Sequence, residues 1–293
     1  MSMTVLLLSC GSNVAYAQVN VFACEPEWAA LTQQLGGNAV KVFSATTNQQ
    51  DPHHIQARPS LIAKVRRADL LVCTGAELEI GWLPLLLRKS GNGKILSGQA
   101  GHFMAADQVV LLEKPAALDR ALGDIHAAGN PHIHLDPRRI QKIANALTQR
   151  LIEIDPTNST LYQQNGQDFT QQWQQAIKKW HQTAKILRGK RIVVSHNSWA
   201  YLEQWLGLKK VATLEPKPGI PASSTHLSKL LTQLKQNPAE MILSVTYQNQ
   251  KPAHWLSKKT TMPVINLSFS PAENETLVVW FGQIVDQLIR VHP

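Results

Sequence analysis

Residues 158–187 read NSTLYQQNGQDFTQQWQQAIKKWHQTAKIL. The stretch has no proline and only Gly166 as a weak point, so an unbroken helix here would run about 45 Å at about 1.5 Å per residue. It follows Asp155-Pro156, and a shorter helical pattern over residues 137–154 precedes that break. On either side the pattern changes. Short β-rich runs alternate with helical segments from residue 19 to about 96, and again from about 190 to the end, as in parallel sheets covered by helices. The expected architecture is α/β: two lobes, each a parallel sheet flanked by helices, bridged by a long rigid helix. The expected division is a signal peptide at 1–17, a first lobe at 18–155, the connecting helix at 156–188 and a second lobe at 189–293.

Working outward, the first lobe is expected to place strands at 19–23, 39–43 and 70–73. Helices separate them: one at 25–35 stops at Gly36-Gly37, and one at 59–67 turns Leu61, Ile62 and Val65 inward. The second lobe is expected to place strands at 191–195, 211–214, 241–245 and 264–267, with a last helix at about 273–290.

A chain of 293 residues with 44% hydrophobic and 17% charged side chains is long enough for two folded cores. Its formal net charge of +9 is dispersed, with clusters no larger than Lys64-Val-Arg66-Arg67 and Lys258-Lys259. A nucleic-acid footprint concentrates charge on one face, so no nucleic-acid partner is expected. The opening Met-Ser-Met-Thr-Val-Leu-Leu-Leu carries a short apolar run, and Ala15-Tyr-Ala17 offers a small-x-small cleavage pattern. Cleavage after Ala17 is expected, which directs the chain to the periplasm. Cys10 is a weaker candidate for lipidation, because the apolar segment before it is short. Cys24 and Cys73 then remain, each near the end of an expected strand; a disulfide and two buried thiols both fit them.

Three histidine-bearing segments fall where loops leave expected strands or enter the connecting helices, which is where open α/β sheets build ligand sites. These are Asp51-Pro-His53-His54, Asn130-Pro-His132-Ile-His134-Leu-Asp136-Pro137 and Ser195-His196-Asn197. Zinc takes neutral imidazole well and is commonly four-coordinate, so three imidazoles from three loops suit it. Asp136 and Asn197 are candidates to hold the second ring nitrogens.

In these segments the chain resembles the zinc- and manganese-specific solute-binding proteins of bacterial ABC transporters, over essentially its whole length after residue 17. Asp51-Pro52-His53, the segment from Asn130 to Pro137 and the Val-Ser-His196 strand end match that family's three ligand positions. Gly75-Ala-Glu-Leu-Glu79-Ile-Gly-Trp82 is similar to a helix start of the family, and Glu215-Pro-Lys-Pro-Gly-Ile-Pro-Ala-Ser-Ser224 to its Pro/Ser loop.

The resemblance implies metal ligands at His53, His132 and His196, Zn2+ as transported cargo with Mn2+ second, and delivery to a membrane permease by a periplasmic monomer. It also implies a strut that restricts hinge bending, so that capture relies on ordering of the histidine loops. A His at 196 in place of the Glu of manganese proteins favours zinc. One departure concerns the fourth ligand: Ser268 stands where many members carry Asp. Water is favoured there, with His54, Glu273 and Glu275 as alternatives; His134 is expected near the cleft, and His126 is an auxiliary candidate.

Neutral imidazoles are required, so binding is expected to weaken near pH 6.5 and below. The rival reading is a zinc-dependent hydrolase with a three-histidine, one-water site. No His-Glu-x-x-His or Gly-x-Ser-x-Gly motif supports it. A metal buffer or adhesin without a transporter partner is the third class.

Overall fold

Two four-stranded parallel sheets of the same winding carry the chain. The first contains β1 (Val19–Ala23), β2 (Val40–Ser44), β3 (Leu70–Cys73) and β4 (His102–Met104) in the order β2-β1-β3-β4. The second contains β5 (Arg191–Val194), β6 (Lys209–Thr213), β7 (Met241–Val245) and β8 (Val264–Leu267) in the order β6-β5-β7-β8. The central strands β3 and β7 are buried at every position, as continuous apolar runs in a parallel sheet should be. These features come from a computed structural model that describes residues 18–115 and 126–291. The expected signal peptide and Cys10 lie outside the described residues.

Parallel strands need crossover connections, and helices supply them. In the first lobe these are α1 (Pro26–Gly36), α2 (Pro59–Arg66) and α3 (Leu83–Ser90). In the second they are α6 (Ala200–Leu206), α7 (Ser224–Gln236) and α8 (Lys251–Thr260), and α9 (Leu277–Arg290) closes the chain. Each crossover starts at the carboxyl end of its strand, so each sheet gathers its loops along one edge.

Between the lobes run α4 (Pro137–Ile154) and α5 (Ser159–Thr183). Twenty-five residues give α5 a length of about 37 Å. It is shorter than the unbroken helix read from sequence, because residues 184–187 tighten into a 3-10 turn. Its buried residues, Tyr162, Phe169, Trp173 and Trp180, recur at seven, four and seven positions and so form one stripe. Trp173 stacks on Phe169 and meets Trp180 edge-on, Trp180 packs on Phe281 of α9, and Trp173 Nε1 donates to the Pro137 carbonyl at 2.7 Å. Gly166 serves the approach of α4: a Cβ there would lie 2.9 Å from the Thr148 side chain.

One apolar cluster runs from β1 and α1 through α4 and α5 to β5, β7 and α9. Smaller clusters fill the far face of each sheet. The lobes therefore share a core, and swinging them apart would expose it.

Three expectations change. The first sheet has a fourth strand, β4, that its three residues do not announce; it forms because the open edge of β3 offers partners, with Leu71 N donating to Gly101 O. The segment 75–82 is not a helix start: Gly75, Ala76 and Glu77 are left-handed, and the regular helix begins at Leu83. The last helix begins at Leu277 behind the Thr276 cap, after the expected start near 273. Cys24 and Cys73 are joined in a disulfide, with Cα atoms 4.8 Å apart across the paired ends of β1 and β3. Among the described residues no helix is long and apolar enough to cross a membrane.

Candidate metal centre

His53 sits in the loop that leaves β2. Asp51 Oδ1 accepts from both the backbone N (3.0 Å) and the ring Nδ1 (2.8 Å) of His53, which directs Nε2 into the cleft. Burial pushes the Asp51 carboxyl up, yet the hydrogen bond and charge of His53 outweigh it and hold the acid below its ordinary value. The loop is tied down by buried Trp82, whose Nε1 donates to the Pro52 carbonyl at 2.8 Å. Gly81 passes so close that a Cβ would stand 3.3 Å from the His53 carbonyl.

His132 enters just before α4 and is 2% exposed. Its backbone N donates to Asn130 Oδ1 at 3.0 Å, and its ring meets Phe269 of the second lobe edge-on at 5.2 Å. Burial first, then the neighbouring histidines, hold its pKa well below the usual value, so the imidazole is neutral at neutral pH. Its Nδ1 is buried without a hydrogen-bond partner.

His196 follows β5 at the carboxyl edge of the second sheet. Its Nδ1 donates to Glu215 Oε2 at 2.7 Å, and the same oxygen accepts from Gly219 N at 2.9 Å. One carboxylate thus orients the ring and folds the 215–219 loop.

The three imidazoles converge. Their ligand atoms lie within 4.8 Å of one another, and the ring centroids are 5.4 Å apart for His53–His132 and 6.0 Å for the two pairs with His196. A tetrahedral zinc site needs nitrogens about 3.3 Å apart, so side-chain shifts of about an ångström close the set. A cavity of about 350 Å³ opens onto His53 and His196 between Gln49, Leu214 and Tyr247. Burial and then the carboxylates Asp51, Glu27 and Glu215 push the Tyr247 hydroxyl well up, so it stays neutral.

Other residues named from the sequence fall elsewhere. Asp136 caps α4 through Arg138 N and pairs with Arg138 and Arg139, and Asn197 contacts Glu113 and Lys210, so neither orients an imidazole. Asp51 and Glu215 do so instead. The aspartate is legible two residues from His53; Glu215, from the next strand's loop, has no local signal. His134 lies beneath the site as a bridge between lobes: Nε2 donates to Phe269 O at 3.1 Å, and Nδ1 is 3.4 Å from buried Glu27. His54 is exposed, with its ring 6.2 Å from that of His53. Ser268 Oγ donates to Ser270 O, Glu275 accepts from Ala272 N, and Glu273 is exposed. His126 Nε2 lies 3.3 Å from His53 Nε2.

Asn130, overlooked as more than a motif residue, ties the lobes together. Its Nδ2 donates to the Asn197 carbonyl and to Glu113, both at 2.9 Å, while its carbonyl accepts from the Tyr201 hydroxyl. The segment carrying His132 is thereby fastened to the one carrying His196.

Two like lobes on a helical spine that share one core, with histidine-bearing loops meeting between them, define the class of solute-binding proteins. Residues 21–291 match the ZnuA family, described as zinc-uptake complex component A, periplasmic, and the chain belongs to it. That family is a component of an uptake complex and not an enzyme. Among its relatives is the high-affinity zinc uptake system protein ZnuA of Bacillus subtilis, 26% identical over 209 residues, or 71% of this chain and 65% of that protein. The match thus spans just under two thirds of that relative. The manganese ABC transporter substrate-binding lipoprotein PsaA of Streptococcus pneumoniae is 22% identical over 253 residues, 83% of this chain and 76% of that one. A crystal structure of ZnuA superimposes with a TM-score of 0.78 at 21% identity, covering 94% of this chain and all of the other, and so shares its fold.

Proposed function

We propose that this chain captures Zn2+ between its lobes through His53, His132 and His196 and delivers it, as a periplasmic monomer, to the membrane permease of an ABC importer. The observation that carries this reading is the meeting of three imidazoles from separate stretches of chain within 4.8 Å. Two are oriented by carboxylates that accept their Nδ1 protons, the arrangement that metal-bound histidines use to fix the tautomer and raise basicity. The third is kept neutral by burial. The relatives supply the transport role: one is named for zinc uptake and another for manganese. An imidazole-rich shell favours zinc over manganese, which prefers oxygen ligands. Against the hydrolase reading, the chain matches a zinc-uptake component, and Asp51 and Glu215 each serve to orient an imidazole.

The test is metal analysis and calorimetric titration of the protein beside His53→Ala, His132→Ala and His196→Ala. Losing an orienting partner alone costs about 10–100-fold in affinity, so each ligand loss should cost at least about 100-fold. Substitution of His102 or His181 should leave binding unchanged. Wild-type affinity in all three ligand variants would overturn the assignment.

A further inference from the structure

The His53–His126 contact has the dimensions of a coordination edge. With bonds of roughly 2.0–2.1 Å at tetrahedral angles, two nitrogens on one zinc ion sit about 3.3 Å apart. His53 Nε2 and His126 Nε2 are separated by 3.3 Å, with ring centroids at 5.3 Å. Asp51 fixes the His53 proton on Nδ1, so His53 Nε2 presents its lone pair to this contact.

We infer that His126 is a fourth zinc ligand and completes an all-imidazole tetrahedron with His53, His132 and His196. The inference rests on the three-histidine reading above. In the metal-free protein His126 Nε2–H donates to His53 Nε2. On metal entry His126 carries its proton on Nδ1 instead and both Nε2 lone pairs turn to the ion, with no net change in protons bound.

The backbone holds His126 in place for this role. Ala127 N donates to Glu77 at 2.6 Å, Gly129 N to the His126 carbonyl at 3.1 Å, and Asn130 N to Leu112 O at 2.8 Å. Glu77 belongs to the left-handed turn after β3, with φ 65°. That turn therefore anchors the segment that presents the fourth imidazole. At position 268 the Ser hydroxyl turns to its own loop, and one oxygen each of Asp51 and Glu215 accepts from a ring nitrogen. Four nitrogen ligands would also discriminate more strongly against manganese than three and a water.

X-ray absorption at the zinc edge and competitive chelator titrations, on wild type and His126→Ala, test this. The expected result is four imidazoles in wild type and three in the variant, with zinc affinity reduced at least about tenfold and preference over manganese narrowed. Thermal unfolding of the metal-free variant checks that the fold is kept. The wild-type imidazole count needs no variant, so a folding defect leaves the test decisive. Three imidazoles in both proteins with equal affinity overturns the inference. If His53→Ala loses binding while His126→Ala does not, only this inference falls; if both bind as wild type, the three-histidine site falls too.

Discussion

The two rims of the cleft are built differently. On the first lobe, β1 and β3 are cross-linked by Cys24–Cys73. Behind them, Glu25 and Glu79 accept from the backbone N of Thr74, Glu79 also from Gly75, and Trp28 Nε1 donates to Thr74 Oγ1. Burial pushes both carboxyls up, Glu79 to about 7 and Glu25 well above its ordinary value. On the second lobe, His196 depends on Glu215 at the base of a mostly exposed loop. The first rim is a cross-linked platform, whereas on the second Glu215 both orients the imidazole and accepts from Gly219 N. Because the lobes share one core, metal capture should order the second rim's loop rather than close a clamshell.

Removing the platform's cross-link should give the largest effect. The disulfide spans a sequence separation of 49, and closing a loop of that size stabilises by about 4 kcal/mol in the chain-entropy account. A Cys24→Ser, Cys73→Ser variant should therefore unfold at clearly lower denaturant, and an unchanged midpoint would show that the platform does not need it.

Next, Glu215→Gln should weaken zinc near the upper end of the roughly 10–100-fold range for orienting partners, and Asp51→Asn near the lower end. The difference arises because His53 keeps the Trp82–Pro52 tie while His196 loses its carboxylate and its loop together. Equal losses in chelator competition would erase the distinction between rims.

Hydrogen exchange should sharpen it further. On zinc addition, amides of residues 215–223 should gain protection, while those of β1 and β3 should change little because they are protected already. Gains spread evenly through both lobes would instead indicate rigid-body closure.

The last effect is a slope. The Glu79 carboxyl is raised in the folded state above its ordinary value of 4.5, to about 7. Folding therefore takes up protons in that interval, and the group's contribution is full below the unfolded value and lost as pH rises through about 7. His132, depressed by burial, acts oppositely: its contribution is present above its ordinary value of 6.5 and lost as pH falls. In metal-free Glu79→Gln the falling slope should become shallower, with the part owed to buried Glu25 and Glu203 kept, while the His132 slope remains. A variant whose stability ran parallel to wild type at every pH would contradict the raised Glu79 carboxyl.

Much of the scaffold was legible because its signals are local. The apolar run Leu70–Cys73 reports a strand, and the proline-free stretch after Asp155-Pro156 reports the strut. His53, His132 and His196 stand out because Pro, Asp and Asn flank them in strand-end loops. The strand His102–Met104 was not legible, since its three residues carry no alternation and it depends on the edge of β3. Nor was the turn at 75–77, where two non-glycine residues occupy left-handed geometry that residue types alone argue against.

The sequence by itself determined the order of elements, the parallel character of both sheets and the histidine-bearing loops, because periodicity and turn chemistry act over a few residues. Only the tertiary structure decided that Glu215 reaches His196, that Asp136 and Asn197 turn to other partners, and that His126 meets His53. Those contacts join positions as far apart as 53 and 126, or pick one carboxylate among several. Such distances are set by how the two sheets pack around a common core, and no local pattern encodes them.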